Sequence, residues 1–316
     1  MATVFAVISP IFIVILLGFL CVRANMLSAT SISQMGKYVL YIAMPSVIVS
    51  TISKLNFEQV FNPTLLAAYV IPGLLMLSMG SVLYAKVLGI PKLDTVIMMT
   101  GSVVPNSAFI GFPILMQMMD NPKVSTFAIA LLVENIVIFP VCLLLLDWFN
   151  HKSPKNASLK GQLGLIGRRV MKNPMLIAIV IALFINVMSI PIPYVFERVL
   201  DIFAPSAVAI ALFCIGGSLA QVKLAQTNWK WVGMTALSKL LIHPLLVGVS
   251  LYLFIPEDKV LATSLMLIVS VPMLSMYTLI GDMYNRQEYC ASTQLITSML
   301  AIFTIPVVYI TFDLLF

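Results

Sequence analysis

Charge is what this sequence has least of: 9% of its 316 residues are Asp, Glu, Lys or Arg, against about 25% in an ordinary soluble domain. A water-soluble fold of this size would lack the charge to cover its surface. There are two histidines, and the four cysteines, Cys21, Cys142, Cys214 and Cys290, stand apart with no CxxC pair. Neither a metal site, a disulfide framework nor a bound cofactor is therefore expected, and the thiols read as small packing groups. HExxH and a Ser/His pair are missing, and Leu279-Ile280-Gly281-Asp282 lacks the first glycine of an intramembrane protease GxGD pattern, so the chain is not expected to be an enzyme. No basic residue precedes Arg23; the first apolar run lacks the positive flank of a cleavable signal and reads as a retained span.

What the chain has instead is 61% hydrophobic residues and a mean hydropathy of +1.06. Apolar runs of about 20 residues recur, each long enough for a hydrocarbon core about 30 Å thick. Ten spans are predicted, at 4–22, 37–53, 63–84, 93–119, 124–148, 173–190, 199–220, 231–254, 259–281 and 289–315. The fold class is thus all-α integral membrane, with lipid rather than nucleic acid surrounding it. The formal charge of +6 supports that reading, because six basic residues (Lys152, Lys155, Lys160, Arg168, Arg169 and Lys172) fall in one connection. With the amino terminus outside, the inner connections carry thirteen basic residues and the outer ones four, a positive-inside bias that puts both termini outside. The central connection is then cytoplasmic, and its Asn156-Ala157-Ser158 sequon is a chance match.

Comparison of the two halves yields a repeat. Pro45-Ser46 in span 2 recurs as Pro205-Ser206 in span 7, Val104-Pro105 in span 4 as Val271-Pro272 in span 9, and Pro140 with Asp147 in span 5 as Pro306 with Asp313 in span 10. The offsets run from 160 to 167 residues. Residues 1–148 and 173–316 therefore read as two five-span repeats joined by the basic connection 149–172. An odd number of spans inverts the second copy, an arrangement found in transporters.

Pro105 lies about 20 Å along span 4 from Lys92, and Pro272 a similar distance along span 9 from Lys259. Proline removes a backbone donor and pushes the preceding valine out of helical geometry, so both spans are expected to break near mid-bilayer. Polar backbone at that depth needs protein, water or a ligand to satisfy it. Half-helices starting at Asn106 and Met273 would aim free amides and positive dipole ends into the break, which favours an anion. Asn106, Ser107, Ser275 and Tyr277 are the nearest side-chain candidates, with uncharged Asn135 in span 5 as a further contact.

Asp147, Asp282 and Asp313 fall near span ends, whereas two charged groups lie deep inside spans: Lys239 about 14 Å into span 8 and Glu134 about 15 Å into span 5. Each would cost about 3 kcal/mol unpaired at the bilayer centre. Lys239 either attracts a substrate carboxylate, pairs with Glu134 or caps a carbonyl at a helix break. Glu134 is either a proton carrier or a static partner of Lys239, and His243, one turn beyond Lys239, is either a second proton-coupling residue or structural.

The run Val104-Pro105-Asn106-Ser107-Ala108-Phe109-Ile110-Gly111-Phe112-Pro113 resembles the Pro-Asn crossover and Gly-x-Pro of the auxin efflux carrier family. Lys239 followed by His243-Pro244 resembles its eighth helix, and the stretch from Pro272 through Tyr284-Asn285 to Ile305-Pro306 its last two. The likeness runs along essentially the whole chain. The short central connection resembles the bacterial branch, which includes malonate and malate permeases. The resemblance implies a scaffold of spans 1, 2, 6 and 7, transport spans 3 to 5 and 8 to 10 crossing at 4 and 9, elevator-like alternating access, a homodimer and an inner-membrane location. It implies a small organic anion as substrate, with an aromatic carboxylate as the alternative; apart from the resemblance, a passive channel and a substrate sensor are the competing classes that the residues leave open. It also makes Pro105, Asn106, Pro272 and Lys239 site residues. Met273 stands where the second crossover asparagine would be.

Overall fold

The computed structural model describes residues 2–54, 62–150, 172–221, 227–255 and 258–315. Among these residues the regular structure is helical: α1 (Ala2–Arg23), α2 (Ala29–Ile52), α3 (Pro63–Val87), α4 (Lys92–Val103), α5 (Ser107–Met118), α6 (Ser125–Phe149), α7 (Pro174–Val187), α8 (Tyr194–Leu219), α9 (Trp229–Phe254), α10 (Lys259–Val269), α11 (Tyr277–Met283) and α12 (Gln287–Leu315). Of these, α2, α3, α6, α8, α9 and α12 are long and apolar enough to cross a bilayer. Most of the basic central connection, its sequon and Lys223 lie outside the described residues.

Helix starts follow local chemistry. Asn62, Asn173, Asn228 and Asp258 each accept a hydrogen bond from a first-turn amide, and proline occupies the first turn of α3 and α7, where its missing donor costs nothing. The start of α2 differs from the expected residue 37 because Ser28 caps an amphipathic turn at Ala29; its polar Thr30, Ser31, Ser33 and Gln34 lie outside any apolar run. Likewise α8 begins at Tyr194 rather than near Val199, with an amphipathic first segment, Tyr194–Phe203, whose residues are not buried.

The long helices carry π-helical turns at Val39–Ala43, Leu83–Val87, Val133–Ile138 and Ser238–Ile242, and α5 opens with another at Ser107–Gly111. Four of the five run straight into a turn whose second residue is proline: Pro45, Pro113, Pro140 and Pro244. Proline cannot bond the carbonyl four residues back and collides with it. One extra residue per turn relieves that conflict without ending the helix. Glu134, Asn135, Ser107 and Lys239 all lie in these turns.

The helices α1, α2, α7 and α8 pack together, α1 against α8 most closely. A Cβ at Gly18 would fall on the Phe213 carbonyl and one at Gly216 on the Ile15 carbonyl. The two backbones touch, as small residues permit in a membrane, where packing rather than water drives association. Asn186 Nδ2 of α7 donates to the carbonyls of Ile52 and Ser53, both at 3.1 Å, and Tyr38 of α2 meets Ser206 of α8 at 2.7 Å. Replacing Gly216 with leucine is expected to force α1 from α8 and lower the thermal midpoint in detergent by several degrees. Gly233, with nothing within 4 Å of an added Cβ, should tolerate alanine without loss; thermal melts followed by size-exclusion fluorescence check both.

Candidate functional site

The two predicted breaks exist and face each other. Helix α4 stops at Val103, and Val104 turns extended at φ −104° and ψ 104°; α10 stops at Val269. Pro105 and Met273 form an isolated antiparallel bridge. Asn106 N–H donates to the Pro272 carbonyl at 2.8 Å, and Leu274 N–H donates to the Val104 carbonyl at 3.1 Å. Each break therefore satisfies part of the other's backbone, which lets unwound chain stay buried: Pro105, Asn106, Ser107, Pro272 and Met273 are all buried.

The two sides are not alike. On the first, Asn106 is the cap of α5, its Oδ1 accepting from Phe109 N–H at 3.4 Å, while its backbone carbonyl accepts from Ile110 and Gly111. The amides of Ser107 and Ala108 fall in the first turn, where helix geometry gives them no intrahelical acceptor. On the second, the expected half-helix at Met273 does not form. The chain stays unwound to Met276 and α11 starts at Tyr277, because the Val271-Pro272 step and the bond from Leu274 hold this stretch extended against α4's end. Met273 thus contributes a backbone bridge rather than a helix terminus.

Ser275 takes the place of the absent second asparagine. Its Oγ accepts from Asn106 Nδ2 at 2.7 Å, and Ser275 is exposed whereas Asn106 is 5% exposed. Tyr277, also a sequence candidate, points the other way: it is fully buried, donates to the Ile97 carbonyl at 3.0 Å and lies against Gly101, where an added Cβ would strike its ring. It is a strut between α11 and α4.

Lys239 and Glu134 do not form the ion pair that was one expectation. Lys239 is fully buried and donates to the Val269 carbonyl, the end of α10, at 3.2 Å, with His243 Nδ1 at 3.5 Å. A cation capping a helix's carboxyl end at the break is the third sequence alternative realised, and it complements the dipole there. Glu134 Oε1 instead accepts from Tyr69 Oη at 2.7 Å and from Ser107 Oγ at 2.5 Å. The Tyr69 ring is 6.4 Å from that of His243. The hydrogen-bonded group of Ser107, Glu134 and Tyr69 at the first break thus lies, through the ring contact of Tyr69 with His243, beside the Lys239 cap on Val269 at the second. Tyr69 was not among the sequence candidates, and nothing in the apolar run 63–84 sets it apart from the other hydroxyls there, Thr64, Ser78, Ser81 and Tyr84. Asn135 faces elsewhere, donating to the Leu131 carbonyl and accepting from Asn173 Nδ2 at 2.9 Å, the cap of α7.

Broken apolar helices crossing around a buried lysine define a membrane transport protein. The model of the family described as membrane transport protein matches residues 3–309, and the chain belongs to that family, the auxin efflux carriers whose motifs it resembles. Over 315 residues it is 23% identical to a protein of Rhizobium meliloti (strain 1021) named "Putative malonate transporter", covering 96% of this chain and 94% of that one.

Substituting valine for Gly101 should unseat Tyr277 and cost about 1–3 kcal/mol, read as a lowered thermal midpoint; an unchanged midpoint would show that the ring does not rest on this glycine.

Proposed function

We propose that this chain is a secondary transporter carrying a small organic anion of the malonate or malate type. The observation that carries the reading is the antiparallel crossing of the two breaks, with the amides of α5's first turn, Asn106 and Ser275 on one side and Lys239 at the end of α10 on the other. Hydrogen-bond donors and a cation gathered in a low-dielectric place suit a carboxylate, and the name of the Rhizobium meliloti relative agrees with it.

Ten spans in two inverted five-span repeats would bring α4–α5 and α10–α11 in from opposite leaflets, with α1, α2, α7 and α8 as scaffold and the other helices as the moving body. Cross-helix ion pairs among the described residues fit that division. Lys54 with Glu197 at 2.6 Å joins scaffold to scaffold, while Lys259 with Asp313 at 3.0 Å and Arg286 with Asp94 join transport helices to each other. The Glu197 carboxylate holds the Lys54 ammonium above its ordinary range by hydrogen bonding and attraction. Charged pairs that stay within each body leave the boundary free to slide.

Vesicles containing the purified protein test the reading: labelled malonate should enter by saturable counterflow against unlabelled malonate inside, whereas linear, non-exchanging flux would mean a channel. Asn106→Ala should weaken malonate binding tenfold or more, as loss of a donor to a charged group costs about 1.5–3 kcal/mol, while the protein elutes as a folded species; unchanged affinity would remove the crossover from the site. Lys239→Met should weaken binding of malonate more than of its uncharged diamide, and equal losses would confine the lysine to capping Val269.

A further inference from the structure

Glu134 is a carboxylate in an unusual place. It is 4% exposed within the π-helical turn of α6, makes no ion pair among the described residues, and directs one oxygen at two hydroxyls. The ionisable or charged groups around it are few. Tyr69 of α3 bonds it, His243 of α9 lies behind the Tyr69 ring, and Lys239 of α9 reaches it through its field rather than by contact. Of the other segments packed on this part of α6, Met44–Ile52 of α2, Ser107–Gly111 of α5 and α7 carry no ionisable side chain, and α10 carries Lys259 at its far end. On α6 itself Asp147 lies 13 residues on, about 20 Å away. A full negative charge so placed is held by two hydrogen bonds and a distant lysine, and taking up a proton would remove its burial cost.

Ser107 connects this carboxyl to the break. It follows Asn106 directly and opens α5, and a serine hydroxyl has one proton to give. Resting on the transport reading above, we propose that Glu134 is a proton-binding site coupled to anion binding through the direction of the Ser107 hydrogen bond. With Glu134 ionised, the Ser107 proton is committed to Oε1 and the hydroxyl turns its lone pairs to the break, which opposes an anion. When Glu134 takes a proton from solvent, its own O–H donates to Ser107 Oγ, and the Ser107 proton swings to donate to the substrate carboxylate. Tyr69 keeps donating to the carboxyl in both states. Apart from the proton arriving on the carboxylate, no covalent bond forms or breaks. Proton and anion then favour each other's binding, by linkage to the same extent in both directions, and cross together.

The test uses the intact protein in vesicles with the membrane potential clamped at zero by potassium and valinomycin, at pH values where malonate is fully ionised. An acid-outside gradient of one pH unit should drive labelled malonate inward up to about tenfold above equilibrium for one proton per anion, and a pH dye in the lumen should report acidification that requires malonate. Glu134→Gln, whose amide N–H donates to Ser107 whatever the pH, should lose the gradient-driven accumulation, and Ser107→Ala should uncouple it as well. Wild-type counterflow without gradient-driven accumulation would overturn this inference and leave the carrier reading standing; absence of counterflow would overturn both. Accumulation that persists in Glu134→Gln would overturn the assignment to Glu134. Should that variant fail to fold, the wild-type gradient and dye measurements decide the coupling and Ser107→Ala decides its route.

Discussion

The structure depends on two backbone hydrogen bonds between segments that proline has broken. Asn106 N–H to the Pro272 carbonyl and Leu274 N–H to the Val104 carbonyl turn two helix failures into one antiparallel junction. Without that exchange, four backbone polar groups on buried or partly buried residues would lack acceptors or donors, each at a cost of several kcal/mol in hydrocarbon. The junction fixes where everything else must be: α5 starts at Ser107, α10 ends under Lys239, and Ser275 is carried to Asn106.

Around the junction, opposite charges are kept apart rather than paired. Lys239 is spent on the Val269 carbonyl and Glu134 on Tyr69 and Ser107. A direct ion pair would neutralise both groups and leave nothing for a visiting anion to gain. Their separation is set by π-helical turns, which rotate Glu134 and Lys239 relative to the rest of α6 and α9. The prolines one turn further on, Pro140 and Pro244, hold those turns open.

Much of this was legible in the residues. The all-helical membrane class follows from scarce charge and long apolar runs, and both breaks from Val-Pro steps at similar depth after Lys92 and Lys259. The Pro-Asn run also pointed to the family that the whole-chain match establishes. What the residues did not reveal is geometric. Capped amphipathic turns at Ala29 and Tyr194 add helix where hydropathy is low. The second break is longer than a single proline implies, because its extended chain is held by the first. Tyr277 and Ser275, two positions apart, look alike as polar neighbours of Pro272, yet one is buried against Ile97 and the other is exposed beside Asn106. Which side of a backbone a side chain leaves from is decided by the partner segment, and the partners here are 169 residues away for Ser275 and 180 for Tyr277.

A density map of the protein with malonate bound tests the central claim most directly. Malonate density against the Ser107 and Ala108 amides and the Asn106 and Ser275 side chains, with segments 104–106 and 271–274 still paired, is the expected result. Continuous helices through Pro105 and Pro272, or malonate bound away from their crossing, would contradict it.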